Sequence, residues 1–197
     1  MACVLQRTFL PLLVATALSA CGPTSDKEQA LWDTHSQEAK EHGARWAGFS
    51  PVLEGLMKRA EPAWKKAVAM ADEGERAKAM KTVNKSIARL VARLNEVEHK
   101  IEKVKSSVES LKEMDLDKDR AKRQREAVLD ARRALEKIEQ ALGSAKPTSE
   151  VGALAALEPV ISELITVQAD LERTAEQLKA RKKDRPSGGK PAKKGGG

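Results

Sequence analysis

The chain has 197 residues, 36 of them Lys or Arg and 29 Asp or Glu, for a formal charge of +7 with a third of all residues charged. Aromatic content is 3%, Tyr is absent, and Gly and Pro are sparse outside the last dozen positions, too little of the usual material for a β-sandwich, a barrel or an α/β sheet. Two Cys, at positions 3 and 21, form neither C-x-x-C nor C-x-x-C-H, which excludes a disulfide framework, a zinc ribbon, a thioredoxin-like redox site and c-type haem attachment.

Arg7 precedes the mostly apolar run FLPLLVATALSA at 9–20. Such a run suits a secretory signal peptide and is shorter than the ~20 apolar residues of a spanning helix. Leu18, Ser19, Ala20 and Cys21 follow one another at its end, and the loop formers Gly22-Pro23-Thr24-Ser25 come next. This L-S-A-C stretch resembles the lipobox of bacterial lipoproteins. The resemblance implies cleavage before Cys21, diacylation of its thiol and acylation of the new amino group. Several acyl chains on one residue anchor it stably, at ~0.8 kcal/mol per buried CH₂. Gly22 in place of Asp after the lipidated Cys implies, in a Gram-negative host, the periplasmic leaflet of the outer membrane. An ordinary secretory signal cleaved elsewhere fits less well, because small residues precede Cys21 and a loop follows it. The expected division is a removed signal at 1–20 and a lipidated linker at 21–25.

Residues 26–72 read as a hairpin of two helices, 26–46 and 51–71, the second opened by Ser50 as N-cap with Pro51 at the first helical position. In the first, Trp32, His35, Ala39, His42 and Trp46 recur at 3,4 spacing, so both Trp and both His fall on one face. That face is a candidate small-ligand, haem or metal site. The imidazoles, two turns or ~10 Å apart, are too distant to share one ion without a ligand from elsewhere. The plainer reading is a face packing on the bundle or on a partner. His35-x-x-Glu38 is similar to a pattern in the imelysin-like exported proteins linked to iron, which are much longer chains.

From 75 to 113 neither Pro nor Gly interrupts the chain, and Met80, Val83, Ile87, Leu90, Leu94, Val97, Ile101, Val104, Val108 and Leu111 keep a strict 3,4 rhythm, the a/d pattern of a coiled coil. Asp115 and Asp117 offer N-caps for a second segment at 118–142, with Gly143 as a left-handed terminator. A third begins after the 144–149 loop, with Pro159 expected to kink or restart it. Three seams joined by short turns predict an antiparallel coiled-coil bundle over 75–183, and an all-α fold.

Other motifs are weak. Asp115, Asp117, Asp119 and Glu126 match EF-hand ligand positions, but Arg120 stands where the loop needs Gly, and Lys118, Arg123 and Arg125 would repel a cation. Glu96-x-x-His99 resembles half of a di-iron motif with no second pair, and the seam at Val97 and Ile101 turns His99 to solvent. With no nucleophile elbow, phosphate loop or H-E-x-x-H, the expectation is a protein that is not an enzyme and has no catalytic residue, resident metal or cofactor.

Residues 179–197 hold eight Lys or Arg against one Asp, and 184–197 read as a disordered Lys/Gly/Pro tail. Export argues against nucleic acid. Expected partners are a membrane through Cys21, other envelope proteins or a second copy through helix seams, and anionic lipid or wall polymer through the tail. The sequence therefore predicts an envelope lipoprotein working as a helical spacer or interaction module.

Overall fold

The computed structural model describes residues 24–183, which form five helices: α1 (Ser25–Arg45), α2 (Ser50–Val68), α3 (Glu73–Lys112), α4 (Lys118–Ser144) and α5 (Glu150–Lys183). The fold is all-α, and no strand occurs among the described residues. The expected signal peptide, Cys21 and the expected tail at 184–197 lie outside them. No described helix is long and apolar enough to cross a membrane.

Each helix starts where the sequence supplies an acceptor for its orphan amides. Thr24 accepts from Lys27 N, Asp72 from Glu75 N, Asp117 from Arg120 N, and Ser149 Oγ from Gly152 N. The exception is α2. Ser50 is not its cap but its first residue, donating from Oγ to Glu54 at 2.7 Å, and Phe49 precedes the helix without a side-chain cap bond. Pro51 has no N–H to satisfy, so one orphan donor fewer remains there.

At ~1.5 Å per residue α3 is a rod about 60 Å long, and it is the axis of the molecule. Its seam from Met80 through Ile87, Leu94, Ile101 and Val108 to Leu111 is buried inside the chain. Val83 is only half-buried, and Asn84 takes the interior place beside it. There α3 is flanked by two helices, and Asn84 Nδ2 donates to the Glu28 carbonyl and carboxylate of α1, both at 2.9 Å.

Cross-helix bonds give the directions. Asn84 meets Glu28 and Glu98 meets His42, so α1 runs parallel to α3. Arg93 pairs with Glu158 at 2.8 Å and Ser107 bonds Gln168, so α5 is parallel to it as well. Helices α2 and α4 return between them. The result is two antiparallel three-helix bundles in series, with α1 and α2 on the first half of α3 and α4 and α5 on the second. One continuous apolar core joins them.

Polar seam residues close the ends. Buried Gln124 donates to the carbonyls of Leu111 (2.5 Å) and Lys112 (3.3 Å), C-terminal acceptors of α3, and to that of Met114 in the link (3.2 Å). Gly143 is not a left-handed terminator, since no described residue has positive φ. Helix α4 instead runs on to Ser144 and leaves through extended Ala145, two residues before Pro147. Pro159 does not restart α5, and Pro62 lies within α2 in the same way. Both are exposed, so the carbonyl each leaves without an amide partner is at the solvent side.

The turns of the two hairpins meet halfway along α3. A Cβ built on Gly48 would collide with the carbonyl of Ala145 and come within 2.9 Å of that of Leu142, whereas one on Gly55, in α2, meets nothing within 4 Å. Gly48→Ala should therefore destabilise the protein by about 1–3 kcal/mol, and Gly55→Ala should stabilise it by up to ~1 kcal/mol. Urea unfolding of the two variants measures both signs.

Candidate functional site

The face at Trp32, His35, His42 and Trp46 divides on folding. Trp32 turns to α2 and stacks on Trp64, with ring centroids 4.5 Å apart and planes 6° from parallel. His42 and Trp46, also buried, turn to α3. His42 Nδ1 lies 3.0 Å from Glu98 Oε1, and Nε2 lies 2.9 Å from Asn95 Oδ1. Trp46 Nε1 donates to the same Glu98 oxygen at 3.2 Å, and Arg45 pairs with the other at 2.8 Å.

Asn95 Nδ2 donates to Glu38 at 3.2 Å, which sets the amide so that its oxygen faces His42. Both ring nitrogens of His42 therefore face side-chain oxygens. His42 and Glu38 are thus used within a network that pins α1 to α3 near the meeting of the hairpins. His35 is half-buried, and its Nδ1, like Ser36 Oγ, is buried without a hydrogen-bond partner. The structure does not bring His35 and His42 to one ligand. No three His, Cys, Asp or Glu gather to hold a metal among the described residues.

The remaining motif residues have local duties. Asp117 caps α4 and takes Arg120 Nε at 3.0 Å. Asp119 lies in the first turn of α4, and Asp115 in the α3–α4 link. Glu96 pairs with Arg93 and Lys100, and His99 is exposed. The Arg93 guanidinium holds the Glu96 carboxyl below its ordinary range.

A groove of about 970 Å³ lies on the side of the α1–α2 hairpin. The Trp32–Trp64 pair ends it, Leu53 and Met57 line it, and Lys40 and Lys58 stand at its rim. Its α2 residues carry no sequence signature, because a groove between helices exists only once the two pair. The exposed large apolar side chains, Leu31, Val68, Leu129, Val151 and Ile165, are spread over four helices and form no common seam.

The poles of the rod are the second feature. Near Thr24, the carboxylate of Glu73 accepts from Ser25 N at 2.9 Å and from Ser25 Oγ at 2.5 Å, and also pairs with Arg76. These bonds, the Ser25 hydroxyl foremost, lower its pKa from 4.5 to about 2. At the other pole, Arg120 Nη1 donates to the Leu178 carbonyl at 3.0 Å, joining the start of α4 to the last turns of α5. In the sequence, segments 113–125 and 176–197 hold thirteen Lys or Arg against six Asp or Glu, residues 184–197 of them lying outside the described structure.

No protein-family model, curated protein or solved structure matches this chain.

Two outcomes test the geometry. A double-mutant cycle of His42→Ala and Glu98→Ala should give a coupling of roughly 1–3 kcal/mol in chemical unfolding, as for partners in one network. Because Glu73 has a lowered pKa in the fold, its contribution is complete above pH 4.5 and is lost as pH falls from 4.5 toward 2. Its carboxyl should titrate near 2 by NMR, and Glu73→Gln should flatten the acid limb of the stability curve in that window.

Proposed function

We propose that this protein is a lipid-anchored, non-enzymatic spacer of the bacterial envelope, holding a membrane at one pole and an anionic surface at the other. The observation that carries this reading is polarity. Because α1, α3 and α5 are parallel, the chain enters at Thr24 and leaves at Lys183 at opposite ends of the rod. Following α3 from the level of Ser25 to Ser107, and then α5 from Gln168 to Lys183, gives a separation on the order of 75 Å.

Cys21 is three residues before Thr24, so acyl chains on it would hold the membrane at the α1 pole. The excess positive charge belongs to the other pole, with the tail continuing from α5. Each Lys or Arg near an anionic membrane contributes about 1 kcal/mol, an attraction that salt weakens. The seams of α3, α4 and α5 are filled by the protein's own helices. The reading therefore gives the contact role to the poles rather than to an open coiled-coil face.

In bacterial cells, Cys21→Ser should move the full-length protein from the detergent phase to the aqueous phase on detergent phase separation. Unchanged partitioning would remove the anchor. Deleting 184–197 should weaken salt-sensitive sedimentation with vesicles rich in phosphatidylglycerol. Equal sedimentation with and without that segment would remove the tail's role.

A further inference from the structure

The lining of the groove between α3 and α4 carries charge of one sign. About 470 Å³ in volume, this groove is walled by Lys112 from the last turn of α3 and by Gln124, Arg125, Val128, Leu129 and Arg132 from α4, with no carboxylate among them. The acids around it are largely engaged: Glu109 pairs with Lys112, Glu126 with Lys122, Asp130 with Arg133, and Glu139 with Lys105. Glu136, one turn beyond Arg132, makes no ion pair with it. Arg125 bonds only the Ala121 carbonyl, from Nε at 3.2 Å, and Arg132 makes no hydrogen bond or ion pair among the described residues. Two guanidiniums on the α4 wall are therefore left unanswered.

Their placement suits one tetrahedral anion. Arg125 and Arg132 are seven residues apart, two turns or ~10.5 Å along one face of α4, so an anion midway is ~5 Å along the axis from each, within reach of an Arg side chain. That midpoint is at the level of Val128 and Leu129, and Lys112 belongs to the opposite wall. A carboxylate presents two oxygens in one plane. A phosphate presents more, in different directions, which suits donors that arrive from both ends of the groove and from across it. Leu129 is 48% exposed between the two cations and buried Val128 lies beside it, so carbon attached to the phosphate has apolar surface to cover. The volume is within the roughly 300–1,000 Å³ of small-molecule sites.

We infer that the α3–α4 groove binds a phosphate ester, its phosphate between Arg125 and Arg132 with Lys112 opposite, and its carbon skeleton against Leu129 and Val128. An anionic phospholipid headgroup and a free phosphomonoester share that chemistry. The inference goes beyond the spacer reading and does not need it, because neither Cys21 nor 184–197 contributes to the site.

The test is an NMR titration of the purified, isotope-labelled full chain. Glycerol phosphate and dihexanoyl-phosphatidylglycerol, the latter below its micelle concentration, should each shift the Val128 and Leu129 resonances saturably. Similar affinities would assign the site to the phosphate ester alone; tighter binding of the phospholipid would assign it to lipid headgroups. Arg125→Gln with Arg132→Gln should weaken both roughly tenfold or more, the scale of two lost charge-assisted hydrogen bonds. Arg123→Gln with Arg133→Gln removes the same charge from α4 outside the groove and should leave both affinities unchanged. All four arginines are exposed, so helicity by circular dichroism should not change in either variant. Equal weakening by the two pairs would mean that diffuse positive charge attracts the ligand and would overturn the proposal. So would the lack of a saturable shift with either phosphate, or shifts by the neutral amphiphile hexyl glucoside as strong as those by the phospholipid, which is apolar adsorption.

Discussion

A 40-residue helix with one unbroken apolar seam has to be covered along its whole length, and neither hairpin is long enough to do that alone. The cover comes in two pieces. Helices α1 and α2, of 21 and 19 residues, span the first half of α3, and α4 and α5 span the second. Halfway along, the two turns abut, and small residues decide how closely they approach. Gly48 lies against the carbonyls that end α4, while Phe49 next to it is fully buried. Glu98 gathers His42, Arg45 and Trp46 at the same level, so the waist is held by a polar network as well as by packing.

That division of α3 fixes the direction of every other helix. With an odd number of antiparallel passes and one shared axis, the first and last helices point the same way as α3. The described chain therefore begins and ends at opposite poles. A single compact three-helix bundle with the same seams would be little longer than its longest helix. Two in series extend the reach, because α5 passes beyond the level of Ser107 by about four turns.

The seam of α3 was legible because 3,4 spacing is a local property, and nearly every residue it marks is buried. Val83 departs from it, since the rhythm assumes one partner whereas α3 there has two, and Asn84 is drawn inward by Glu28. The helix ends were half legible. Asp117 caps as its position suggests, but Gly143 does not terminate, because extended Ala145 before Pro147 already ends α4. The 3,4 spacing puts the Trp and His of α1 on one face, of which Trp32, His42 and Trp46 are buried and His35 is half-buried. Which neighbour each would meet depended on Trp64 and Glu98, more than thirty residues away in sequence, and no spacing rule links them. The Lys40–Lys58 groove was invisible for the same reason.

The central claim is that α1 and α5 extend from the shared rod in the same direction and toward opposite ends. Spin labels at Asp26 and Lys179, both exposed, report it directly by pulsed electron resonance. Two bundles in series predict a narrow distance distribution centred at roughly 65 Å. A distribution centred below about 35 Å would mean that α4 and α5 fold back beside α1 and α2, and would contradict the account.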